Sequence, residues 1–162
     1  MALRFKETML TTFLIAMTPI GELRAAIPVG IADQGLSWWE AYLLAVAGNM
    51  VPVIILLWML PPMSRWLTSF ENPIGRLLIW RTNSLVERHT ISVQRWGAWA
   101  LVPFVAIPLP ITGAWTGCLA AWALGIRRRS ALGAIFIGLL LAGAVVSLVV
   151  QLSLDLPFIN EG

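Results

Sequence analysis

The chain has little of what soluble enzymes are built from. Only 12% of its 162 residues are charged and 59% are hydrophobic, where soluble domains carry about 25% charged residues. Cys118 is the single cysteine, which excludes an intrachain disulfide and a multi-cysteine metal site. The single histidine, His89, stands among Glu87, Arg88 and Thr90 in a polar stretch far from Cys118, where a solvated role is the ordinary one. No glycine-rich phosphate loop with its lysine occurs, nor a nucleophile–base pair. The expectation is therefore a protein with no metal, no cofactor and no enzymatic activity.

What the chain does have is apolar sequence, with a mean hydropathy of +0.83. The net charge of +3 does not point to nucleic acid, because the arginines gather beside apolar segments as topology determinants do. No basic groove or stacking platform accompanies them. The N-terminal residues carry a weak positive flank, but Glu22 and Arg24 fall where a cleavable signal needs an unbroken apolar core, so the start reads as mature sequence.

Four apolar segments stand out. Residues 38–60 and 130–152 are unbroken, each near the 20 residues or so that cross a hydrocarbon core of about 30 Å. Trp38, Trp39 and Trp58 lie toward the ends of the first, where indoles favour the interface. Residues 9–32 are interrupted around Thr18, Pro19 and Gly21, and residues 97–125 around Pro108, Pro110 and Gly113. Each proline lacks a donor N–H and restricts the residue before it, so a turn is expected at both places.

Charge placement decides the course of the second interrupted segment. Arg65, Arg76, Arg81, Arg88 and Arg95 precede it and Arg127, Arg128 and Arg129 follow it. Positive-inside logic puts both groups in the cytoplasm, so residues 97–125 should enter and return on one side. For residues 9–32 the charges of Arg4 and Lys6 favour a crossing, whereas internal similarity favours a second hairpin. Each half reads as a broken segment, a short polar loop and an unbroken span, the pattern of inverted repeats whose broken segments meet at the midplane.

The expected architecture is an all-α integral membrane protein forming a single membrane domain over residues 1–162. Two inverted repeats, residues 8–60 and 97–152, each comprise a re-entrant helical hairpin and one transmembrane helix. An amphipathic cytoplasmic segment, residues 63–96, joins them. Within it Ile74, Leu77, Leu78 and Leu85 share a helical face, which reads either as an interfacial helix or as an ordinary basic loop. The expected location is the cell membrane, as a multi-pass protein.

Charged side chains at membrane depth mark functional sites by default, and Glu22 and Arg24 are the plain examples. A partly desolvated carboxyl holds its proton more tightly than one in water, while a nearby arginine opposes that shift, a balance suited to proton coupling. The alternative is that the two charges only fasten the hairpin. Asn49 either reaches the hairpin tip or caps backbone freed by Pro52. Pro19, Gly21 and Pro28 form one expected re-entrant tip, and Pro108, Pro110, Thr112 and Gly113 the other, where helix ends could aim N–H groups at an anionic ligand. Gly113 and Gly117 also fit a close-packing pattern. Asp33 and Arg95 are weaker candidates, the first at the membrane edge.

Pro19, Gly21, Glu22, Arg24 and Pro28, followed by Gly48, Asn49 and Pro52 and then by Pro108, Pro110, Thr112, Gly113, Trp115 and Gly117, resemble the small multidrug export protein family over nearly the whole length. The first half is also similar to the wider DedA and VTT superfamily. That resemblance implies two inverted repeats of a re-entrant hairpin and a helix, with acidic residues in the first half and arginines in the second linked to proton-dependent transport or lipid-phosphate translocation. Glu22 matches the acidic position. The second hairpin has no charge, so Arg95 would stand for one of those arginines and Arg24 would supply the other cation. The expected function is a small membrane transporter, exporting a small or amphiphilic substrate with proton coupling. The alternatives are a lipid or lipid-phosphate translocase or scramblase, and a non-transporting scaffold. Expected partners are membrane lipids, the substrate, protons and further copies of the chain, since one copy encloses little volume.

Overall fold

The computed structural model describes residues 2–69, 97–107 and 113–155. Every regular element among them is helical: α1 (Ala2–Met17), α2 (Glu22–Pro28) running on into a π turn (Val29–Asp33), and α3 (Trp38–Ser69). After these come α4 (Gly97–Ala106), α5 (Ala114–Ala123) and α6 (Arg128–Asp155). Both halves thus share one order: helix, break, second helix, tight loop, long helix.

The first break is built from local chemistry. Pro19 cannot donate, and the Thr18 hydroxyl takes over, donating to the Ile15 carbonyl at 2.8 Å and accepting from the Gly21 N–H at 3.0 Å. A Cβ on Gly21 would lie 2.7 Å from that hydroxyl, so only glycine fits under it. α2 then packs back against α1, bringing Gly30 to Thr12, whose Cγ2 would lie 3.2 Å from an added Cβ. Pro28, expected at the tip, instead closes the far end of α2. The φ of proline is itself helical, so the missing N–H there loosens the ladder into the π turn rather than reversing the chain.

The two long helices extend the expected spans. α3 runs through Pro52, Pro61 and Pro62, because a proline removes one hydrogen bond without leaving helical φ. Its apolar stretch, Trp38–Met63, has 26 residues and that of α6, Arg128–Leu154, has 27. At 1.5 Å per residue each is roughly 40 Å long, more than a hydrocarbon core requires. The Ser37 N–H donates to the Glu40 carboxylate at 3.0 Å and the Ser37 hydroxyl also bonds it, which starts α3 in the manner of a capping box. Between α5 and α6, Gly125 takes φ +65. Its N–H reaches the Trp122 carbonyl while that of Ile126 reaches Ala121, a glycine-ended C-cap that turns the chain sharply.

The chain divides into two compact units, Met1–Val51 with Leu139–Gly162, and Pro52–Gly138. In the first, Gly143 of α6 lies under the Tyr42 ring, 2.7 Å from where its Cβ would be, and the Tyr42 hydroxyl donates to the Leu140 carbonyl at 3.1 Å. In the second, Val105 of α4 sits against both Gly117 of α5 and Gly138 of α6. Cys118 is buried there, its Sγ against the Val53 carbonyl, the packing role a lone cysteine in an apolar run usually has.

Candidate functional site

The site grows out of the first break. An interrupted helix exposes carbonyls at the end of α1 and N–H groups at the start of α2, and buried groups of this kind need partners. α3 supplies them. The Asn49 amide, in the orientation that satisfies both neighbours, donates to the Ala16 carbonyl at 3.1 Å and accepts from the Leu23 N–H at 2.9 Å. Asn49 is fully buried, so one side chain holds the two sides of the break together. Its partners are the last turn of α1 and the first turn of α2.

Gly48 makes that reach possible. A Cβ at Gly48 would stand 2.5 Å from the Phe13 carbonyl oxygen and 2.9 Å from Ala16 Cβ. Only a residue without a side chain lets α3 come this close to the backbone of α1, and the next residue then meets the break.

Leu23, gripped by Asn49, lies between Glu22 and Arg24. Glu22 is the first residue of α2 and has φ +46, the one positive φ at a non-glycine among the described residues. Its exposure is only 7%. Left-handed backbone costs a non-glycine residue about 1–2 kcal/mol, and such outliers persist only where the surroundings over-determine them. Glu22 thus combines a buried side chain with strained backbone at a helix start. Arg24, half-buried, sits in the first turn of the same helix, where the macrodipole disfavours a cation by about 0.3–1 kcal/mol. Helix electrostatics do not explain its presence.

Pro19, Gly21, Glu22 and Arg24 thus lie along the break and the start of α2, and Asn49 bonds the backbone on either side of it. Asp33 does not join them: it is exposed at the end of the π turn, with Pro28 between it and the break. At the second break, Gly113 is the extended N-cap of α5, φ 173. Its N–H donates to the Thr116 hydroxyl at 3.0 Å, half of a capping box. The two glycines there have separate tasks, Gly113 capping and Gly117 accommodating Val105. Pro108, Pro110, Thr112 and Arg95 lie outside the described residues.

Thr18, Thr116 and Trp115 have features that were not assigned to them from the sequence. Thr18 precedes a proline at the end of a helix, a local signal for a hydroxyl that bonds back to the preceding turn. Thr116, three residues after the cap position, carries a similar one. Trp115 has a buried indole N–H with no hydrogen-bond partner among the described residues, which no local pattern announces.

A close approach to a glycine also occurs in the second unit. In α6 a Cβ on Gly138 would lie 3.0 Å from the Val102 carbonyl oxygen and 2.7 Å from Val105 Cβ, repeating the contact of Gly48 with Phe13 and Ala16. The residue after Gly138 is Leu139, where the first half has Asn49. The polar bridge belongs to the first half.

A helix break with a buried carboxyl, a neighbouring guanidinium and a satisfied amide is suited to ion or proton handling within an apolar body. A search of curated proteins and one of solved structures each found no match. Residues 22–145 match the family described as "Putative small multi-drug export protein", a stretch that begins at Glu22 and takes in Arg24, Asn49, all of α3 and the first part of α6. With most of its length matched, the chain belongs to that family of membrane export proteins.

Proposed function

We propose that the protein is a multi-pass secondary transporter of the cell membrane that exports a small or amphiphilic substrate, with Glu22 as the proton-coupling acid. The observation that carries this reading is the buried carboxyl of Glu22 on left-handed backbone beside a break held by Asn49. A group so placed can gain and lose a proton while the break around it rearranges, which is what alternating access requires. Arg24 serves as its partner or as a contact for an anionic part of the substrate. The repeated helix–break–helix order and the paired roles of Gly48 and Gly138 support two re-entrant hairpins in inverted repeats, with the ionic chemistry confined to the first.

The test is flux of ethidium, an amphiphilic cation, across proteoliposomes holding an imposed pH gradient. Gradient-driven movement should be present in the native chain and absent in Glu22→Gln. Movement that ignores the gradient, or that survives unchanged in Glu22→Gln, overturns the coupling scheme. A scaffold would show neither flux nor any effect of the substitution beyond stability.

A further inference from the structure

The second unit carries a feature the transport reading does not use. Arg127, Arg128 and Arg129 stand at the start of α6, all exposed, and no Asp or Glu occurs anywhere between Glu87 and Asp155. Arg128 lies over the Trp58 ring, 5.5 Å from its centroid. The positive end of the α6 dipole adds to the same patch, and the first turn of α6 holds no acid. Three cations and a helix start therefore gather where the surrounding sequence provides no anion.

Directly beside Arg129 a groove of about 360 Å³ runs between α4 and α6, within the size range of ligand sites. Arg129 and Ser130 form its polar end, and Trp99, Val102, Gly133 and Ile137 its apolar walls. Gly133 creates the hollow: a Cβ there would meet nothing within 4 Å. Polarity is therefore graded along α6, with a cation and a hydroxyl in its first turn and apolar surface one and two turns further on. A free inorganic anion would leave the apolar length of the groove unused, and a neutral lipid would leave the arginines unanswered. Basic pockets between membrane helices on the cytoplasmic side suit anionic headgroups.

We propose that this groove is a binding site for one anionic phospholipid, its phosphate at Arg129 and Ser130 and one acyl chain laid over Gly133 between Trp99 and Ile137. The inference does not rest on transport, since a chain that moved nothing would still hold the lipid.

The full-length protein, purified in detergent, would be offered phosphatidylglycerol or phosphatidylcholine, and retained lipid counted by native mass spectrometry. Phosphatidylglycerol should be retained in preference. Arg129→Gln should lower its retention several-fold by removing the headgroup contact, and Gly133→Leu should do so by filling the hollow, which the open space permits without disturbing the fold. Lys6→Gln removes a cation of α1 and should leave retention unchanged. Equal retention of the two lipids, native retention in Gly133→Leu, or an equal loss in Lys6→Gln and Arg129→Gln would each overturn the site.

Discussion

Glu22 combines two demands that substitutions can separate. Its side chain is buried and its backbone left-handed, and alanine and glycine both remove the carboxyl while only glycine accepts φ +46 without strain. Glu22→Gly should therefore be more stable than Glu22→Ala by about 1 kcal/mol, read as the difference in unfolding free energy in detergent. Equal stability would mean that the backbone there is relaxed. Asn49 invites the complementary experiment. Asn49→Leu copies the residue that follows Gly138 in the second half, but leaves the Ala16 carbonyl and Leu23 N–H without the amide that now satisfies them. At about 1–3 kcal/mol for each orphaned group, the loss should be about 2–6 kcal/mol by denaturant titration. A smaller loss would mean that water reaches the break and replaces the amide.

At the level of elements, the breaks were the legible part of the sequence. Pro19 and Gly21 at one break, and the prolines before Gly113 at the other, lack a donor or a Cβ, and the helices stop on either side of both. The ends of α3 were less legible. Pro61 and Pro62 resemble terminators, yet proline leaves helical φ intact and the helix runs on to Ser69. Pro28 misled for the same reason. The bonds of Asn49 were legible only as one of two options, because the choice depends on how closely α3 approaches α1, and that is set by Gly48 across a long stretch of sequence. Glycines in the long helices look alike in sequence but differ in surroundings, so Gly48→Ala and Gly133→Ala should move stability in opposite directions. The first forces a methyl onto the Phe13 carbonyl and should cost about 1–3 kcal/mol. The second enters open space and should gain about 0.5–1 kcal/mol from helix propensity. Thermal unfolding of the two variants beside the native protein checks both signs.

For the molecule as a whole, the sharpest question is whether α1 crosses the membrane or re-enters, because positive-inside logic and helix length disagree. Arg4 and Lys6 argue for a cytoplasmic N-terminal end and hence a crossing between residue 4 and the loop at Gln34. Length argues otherwise. α1 has 16 residues, roughly 24 Å at 1.5 Å per residue, short of a core of about 30 Å. α2 then packs back on α1 instead of prolonging it, so the two helices do not add their lengths across the bilayer. Two basic residues impose a modest orientational bias, whereas unsatisfied backbone in hydrocarbon costs several kcal/mol per group, and the geometric constraint should prevail. In a Cys118→Ala background, Arg4→Cys and Gln34→Cys should react with a membrane-impermeant maleimide from one and the same face, opposite that of Arg127→Cys. Labelling of positions 4 and 34 from opposite faces would establish a crossing and remove the inverted-repeat scheme, while leaving intact the Asn49 bridge and the strained carboxyl of Glu22, which depend only on the fold of the first unit.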